Sequence, residues 1–145
     1  MPQFSTTRRV KHSAADMFAL VADIERYPQF LRWWISARVV SREDQVMQVE
    51  QVLGVGPVQL AFASTAVLRR PERLDVSSSD PMFRKFNLCF LVSARGPDAC
   101  SLNITAELEL RSLIQQLAVS ATLGASIGEI LSAFETRAHA LYAIK

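Results

Sequence analysis

Apolar and polar residues alternate with a period of two along most of the first 110 residues, and with a period near 3.6 beyond them. Residues 2–11 alternate loosely, with Phe4, Thr6, Thr7 and Val10, and suit a first strand. Ser13 is a good helix cap, and Asp16 three residues on comes close to a capping box. Met17, Phe18, Leu20 and Val21 then share one apolar face, which predicts a short helix over 14–22. Asp23 can cap a second short helix. Pro28 is tolerated there only near the start or at a bend, because proline has no amide donor and steers its predecessor away from helical geometry. Tyr27 is therefore expected at a bend, with Phe30 and Leu31 turned back toward a core or a cavity.

From Trp34 the period is two. Ile35, Ala37 and Val39 face one way and Ser36, Arg38 and Val40 the other. Arg42-Glu43-Asp44-Gln45 reads as a turn, Val46 to Leu53 as a strand, and Gly54-Val55-Gly56-Pro57 as a break. Val58, Leu60, Phe62, Ser64, Ala66 and Leu68 share a face of a long strand. Arg70-Pro71-Glu72-Arg73 turns the chain into a strand begun by Leu74, Val76 and Ser78, which Ser79-Asp80-Pro81 breaks. Phe86, Leu88, Phe90 and Val92 line the next strand, and Gly96-Pro97-Asp98 makes a hairpin turn. The clearest alternation comes last: Leu102, Ile104, Ala106, Leu108 and Leu110 against Ser101, Asn103, Thr105, Glu107 and Glu109. One wet and one buried face point to an antiparallel sheet.

After Ser112, Leu113, Leu117, Ile127, Leu131, Phe134, Ala138 and Leu141 are read as one helical stripe over 113–143, with Gly124 and Gly128 as candidate kinks or close approaches. The expected fold is α+β: a curved antiparallel sheet of about six to seven strands around a long C-terminal helix, with two short helices after the first strand. A space between sheet and helix is the natural place for a ligand.

The chain has 145 residues, half of them hydrophobic, and is expected to form one domain. A net charge of +2 does not by itself make a polyanion binder, although thirteen arginines stand against three lysines. The groups Arg8-Arg9-Lys11, Arg69-Arg70-Arg73 and Arg84-Lys85 could touch phosphates, but Glu72, Asp75 and Asp80 are interspersed, which favours ordinary solvated surface. Cys89 and Cys100 fit no zinc spacing and are expected as reduced thiols of a cytoplasmic protein. The N-terminus has no apolar core of a signal peptide, and no apolar run is long enough to span a bilayer.

Candidate chemistry is sparse. His12 and His139 are the two histidines, and His139 stands one helical turn after Glu135. That spacing permits an acid/base pair or an exposed pair near a helix end, and no catalytic constellation is assigned. Tyr27, Phe30, Trp33, Trp34, Phe62, Phe83, Phe86 and Phe90 read as core or as the wall of an apolar tunnel. Adjacent Trp33 and Trp34 would point to opposite sides if extended, leaving one exposed or at a pocket mouth, where it could meet a membrane interface. The uncharged run 117–128 reads as a helix buried all round, or as one leaving room for a lipid tail or touching a bilayer.

The stretch Val21-Ala22-Asp23-Ile24-Glu25-Arg26-Tyr27-Pro28-Gln29-Phe30-Leu31 resembles the coenzyme-Q-binding branch of the START-like superfamily, the polyketide cyclase/dehydrase and lipid-transport proteins. That branch also holds the bacterial ribosome-association toxins. Ser79-Asp80-Pro81-Met82-Phe83-Arg84-Lys85-Phe86 and Phe134-Glu135-Thr136-Arg137-Ala138 add weaker similarity, and the order of elements matches the helix-grip fold. Departures fall where a ligand would sit: Arg32-Trp33-Trp34 for Pro-Trp-Cys, Pro81-Met82-Phe83 for Gly-Pro-Phe, and Asn87-Leu88-Cys89-Phe90 where the family favours a Trp.

The resemblance implies a hydrophobic small molecule, a polyprenyl quinone such as ubiquinone or another lipid, held between sheet and helix in support of respiration. The residues assigned to its enclosure are Phe30, Leu31, Trp34, Phe62, Phe83, Phe90, Ile127 and Leu131. No other cofactor, no metal and no DNA is implied; the location is cytoplasmic, peripheral to the inner membrane. The membrane surface and the large ribosomal subunit are the further partners it raises. A ribosome-association toxin is the alternative function, and a cyclase or hydratase ranks third.

Overall fold

The chain follows its sequence pattern closely in order and less closely in which faces end up buried. The structure, a computed structural model, describes residues 3–142 apart from the side chains of 123–125, so Gly124 and residue 143 of the expected helix lie outside the described set. Strand β1 (Gln3–Val10) leads into helix α1 (Ala14–Ala22), where the Ser13 hydroxyl accepts the Asp16 amide at 3.1 Å as the cap requires. A 3₁₀ segment, Ile24–Gln29, carries Pro28 and buries Ile24 and Tyr27. Asp23 precedes it but makes no side-chain cap.

The remaining strands are β2 (Trp34–Glu43), β3 (Val46–Val55), β4 (Val58–Arg69), β5 (Arg73–Ser77), β6 (Phe83–Ala94) and β7 (Cys100–Leu110). All seven join one antiparallel sheet in the order β1-β7-β6-β5-β4-β3-β2. Helix α2 (Leu113–Leu141) is capped by the Ser112 hydroxyl and closes over the sheet. The alternating faces of β3, β4, β6 and β7 meet α1 and the second half of α2 in one core.

Two expectations fail for identifiable reasons. β2 is an edge strand with register shifts between Trp34 and Ser36 and between Val39 and Ser41, so Ile35 is half exposed rather than aligned with Ala37 and Val39. The α2 stripe also divides. Ile127, Leu131, Phe134 and Ala138 are buried, whereas Leu113, Leu117 and Leu141 are exposed. Ten residues from Leu117 to Ile127 leave the two about 80° out of line at 100° per residue. The segments Leu113–Thr122 and Ser126–Leu141 are moreover bent by 53° relative to each other.

Candidate functional site

The aromatic side chains form two clusters. Tyr27 stands edge-on to Phe30, Trp34, Phe90 and Phe134, with ring centroids 5.3 to 6.3 Å apart. Phe62, Phe83 and Phe86 form the other, at 4.9 to 5.0 Å. An apolar cavity of about 50 Å³ lies at the junction, with Trp34 of the first cluster and Phe86 of the second in its wall. Trp33, Leu53, Val55, Leu88, Ala106 and Leu108, with Asn87 and Glu107, complete the sheet side, and Ser126, Ile127 and Ile130 of α2 cover it. Arg32, Gly56, Thr122 and Ser126 make a polar rim. Gly56, at φ +59°, turns β3 into β4 close under α2, where an added Cβ would meet Thr122 and Ala118.

Of the residues assigned to ligand enclosure, Trp34 and Ile127 line this cavity. Phe90 and Leu131 are fully buried behind it, Phe62 and Phe83 belong to the second cluster, and Leu31 is buried beside half-buried Phe30. Trp33 and Phe86, read from the sequence as part of an aromatic core or tunnel wall but not assigned to ligand enclosure, line it as well; Leu53 and Ala106 were not singled out, and their place in alternating strands was the available signal. Both tryptophans are buried, because Trp33 precedes β2 and is not extended with it: its carbonyl accepts the Gly54 amide at 2.8 Å, and the Arg32 guanidinium lies 5.0 Å above its ring.

One buried polar chain adjoins the cavity. Trp34 Nε1 donates to Gln51 Oε1 (2.8 Å), Gln51 Nε2 to Ser64 Oγ (2.7 Å), and Ser64 Oγ to the Val49 carbonyl (2.9 Å). It satisfies every member and orients the Trp34 ring along the cavity wall. The Tyr27 hydroxyl donates to the Val21 carbonyl, and its burial, with Asp23 adding to it, holds the phenol well above its ordinary range.

Glu135 and His139 do not form the pair their spacing allows. Glu135 takes Arg8 at 2.7 Å, and His139 Nδ1 lies 2.7 Å from Nε2 of buried His12. These contacts tie β1 and the bend after it to the second half of α2, and neither reaches the cavity wall. The basic groups are partly neutralised: Arg69 and Arg73 share Asp75, and Lys85 takes Glu107. A solvent-open polar groove on the outer sheet face contains Arg73, Asp75, Cys89, Asn103 and Glu107. Among the described residues no cluster of metal-ligating side chains occurs, and no single helix is long and apolar enough to cross a membrane.

The family model for polyketide cyclase/dehydrase and lipid transport matches residues 10–135. The ribosome association toxin RatA of Pseudomonas aeruginosa is 22% identical over 90% of this chain and 91% of its own length. The mitochondrial coenzyme Q-binding protein COQ10 homolog B of Xenopus laevis is 24% identical over 97% of this chain and 59% of its own. Among solved structures, the Zhui aromatase/cyclase of Streptomyces sp. R1128 superposes with a TM-score of 0.86 at 12% identity, covering 98% of this chain and 96% of that one. The last likeness shows the fold, a helix-grip sheet closed by its C-terminal helix, and says nothing of chemistry. With the model matching most of its length, the chain belongs to the polyketide cyclase/dehydrase and lipid transport family.

Proposed function

We propose that this protein binds a hydrophobic small molecule, a polyprenyl quinone or another lipid, between the sheet and α2, and chaperones it in support of respiration. The observation that carries the reading is the cavity itself, an almost wholly apolar hollow between two aromatic clusters that only one helix covers. At about 50 Å³ it is far below the roughly 300–1,000 Å³ of a pocket that encloses a ligand. Loading therefore requires the cover to move, and the cover is α2, whose two halves already point in different directions. Phe30, Leu31, Phe62, Phe83, Phe90 and Leu131 then form the second layer that opening would bring toward a long tail, behind Trp34 and Ile127.

Organic extraction and mass spectrometry of protein purified gently from a quinone-producing bacterium test this directly. The expected result is one quinone or lipid per chain; protein that is always empty, even after incubation with ubiquinone, would sink it.

The name of the P. aeruginosa relative favours a second reading, association with the ribosome. Arg9, Lys11, Arg42 and Arg84 are exposed and make no ion pair among the described residues. Cosedimentation with ribosomes that weakens steeply with salt is its expected signature, and salt-independent or absent cosedimentation removes it.

A further inference from the structure

The first half of α2 carries the most exposed large apolar side chains among the described residues. Leu113, Ile114 and Leu117 are 72%, 83% and 66% exposed. Ser120 and Ala121 continue that solvent face, and no ionisable side chain occurs from Ser112 to Gly128. The second half of the same helix is different: its solvent side mixes Glu129, Thr136 and His139 with Ala140 and, at its last residue, half-exposed Leu141. An outer face that is uncharged and apolar along one half of a helix is unpartnered surface of the kind that marks an interaction site.

The surroundings indicate what covers it. Arg111 immediately precedes the helix, and its amide and Nε bond to the carbonyls of Met82 and Pro81, both at 3.0 Å. That ties it to the turn leading into β6, where Arg84 is exposed. Neither guanidinium has an acidic partner among the described residues. Asp80, the acid of that turn, accepts the Met82 amide. The patch is thus aliphatic with a cationic border. Three such side chains offer roughly 60–120 Å² apiece to bury. That total falls well short of the ~800 Å² per partner of a stable dimer. A bilayer interface takes up aliphatic side chains one at a time, and anionic headgroups complement the two arginines.

We propose that Leu113, Ile114 and Leu117, bordered by Arg84 and Arg111, dock on an anionic lipid bilayer. Docking brings the cavity rim with it, because Ala118 and Thr122 in the next turn lie against Gly56, which follows Val55 of the cavity wall. The patch thereby sits on the half of α2 that leads directly into Ser126, Ile127 and Ile130, the residues that cover the cavity. Its purpose rests on the lipid-carrier reading above, but its test does not.

The experiment is flotation of the full, delipidated chain with vesicles of phosphatidylcholine alone and of equimolar phosphatidylcholine and phosphatidylglycerol. The parent floats with the anionic vesicles. Changing Leu113, Ile114 and Leu117 together to Ser weakens that binding by about a hundredfold or more, given the free energy of burying each aliphatic side chain. Arg84→Gln and Arg111→Gln each weaken it about fivefold on anionic vesicles alone. Since the side chains are exposed, the variants should stay folded, with unfolding temperatures lowered by only a few degrees through the weaker helix propensity of serine and the lost Arg111–Pro81 bond. A parent that floats with neither vesicle, or serine variants that float like the parent, overturns the proposal. So does a concentration-dependent dimer that the serine changes abolish while the parent ignores vesicles, because the occupant is then a second copy. Extracted lipid without vesicle binding removes docking alone, whereas vesicle binding by an always-empty protein removes the carrier reading alone.

Discussion

Replacing Ala106 by leucine should fill the cavity, and the same replacement at Ala66 provides the control. Ala106 lies on β7 between Phe4 of β1 and Leu88 of β6, and its side chain borders the cavity. Leucine adds three carbons, worth up to about 2.4 kcal/mol at ~0.8 kcal/mol per buried methylene. Lost rotamer freedom offsets about 0.5–1 kcal/mol of that. The 50 Å³ of space corresponds to three to five waters at roughly 10–15 Å³ each, enough for three carbons with small adjustments. The expected change at Ala106 is therefore a gain of about 0–2 kcal/mol. Ala66 is equally buried, but it sits between Met47 and Val76 and does not border the cavity. There leucine overpacks and should cost about 1–3 kcal/mol. Urea denaturation should then separate the two midpoints by about 1 M, for a slope of ~1–3 kcal/mol per molar. Ala106→Leu should also lose bound quinone or lipid. Equal destabilisation at the two sites would show that the hollow is not usable space, and a full ligand load in Ala106→Leu would place the ligand elsewhere. Phe90→Asp cannot serve in its stead, since a carboxylate between Tyr27 and Phe134 would unfold the protein rather than empty it.

Gln51→Leu leaves the buried Trp34 Nε1–H without an acceptor and should cost about 1–3 kcal/mol in the same denaturation assay. Adding Trp34→Phe should return at least half of that loss, and a cycle with no recovery would refute the role given to the chain. Tyr27→Phe should cost about 1–2 kcal/mol at neutral pH through its lost hydrogen bond to Val21. Because burial, reinforced by Asp23, raises the Tyr27 phenol above its unfolded value, the unfolded chain gives up that proton first. Its contribution is intact below about pH 10 and declines as pH rises further, so stability should fall less steeply there in Tyr27→Phe than in the parent. Burial pushes the Cys100 thiol up to about 11, and burial followed by the charge of Asp75 raises that of Cys89. Iodoacetamide at pH 8 should therefore modify half-buried Cys89 slowly and Cys100 only after unfolding, as peptide mass mapping would read; early labelling of Cys100 would contradict its burial.

Elements held by local chemistry were legible in the residues. Ser13 and Ala14–Ala22 declared the first helix, and the alternation of Leu102 to Leu110 declared β7 with its buried face. Legibility ended where geometry depends on partners distant in sequence. Nothing local reveals the bulges that expose Ile35, since they arise from pairing with β3. Trp33 escaped the alternation argument because it stands before the strand, with its carbonyl held by Gly54. His12 and His139 meet across 127 positions, and Arg8 takes Glu135 over the same separation, so the i,i+4 relation of Glu135 to His139 suggested the wrong partners. The α2 stripe misled for another reason: leucines at helical spacing were read as core when Leu113 and Leu117 face solvent.

The chain's two tryptophans both stand in the cavity wall, so its entire indole emission originates at one place. The protein is in that sense its own optical probe. A benzoquinone ring in contact with an excited indole accepts an electron and darkens it, whereas a saturated acyl chain excludes water and shifts the emission to shorter wavelength. Trp34 has its N–H fixed on Gln51 and Trp33 carries a guanidinium over its face, so the two rings report separately on the inner wall and on the rim. The order in which their signals change would time the arrival of a ligand at the rim against its arrival inside, with no label attached.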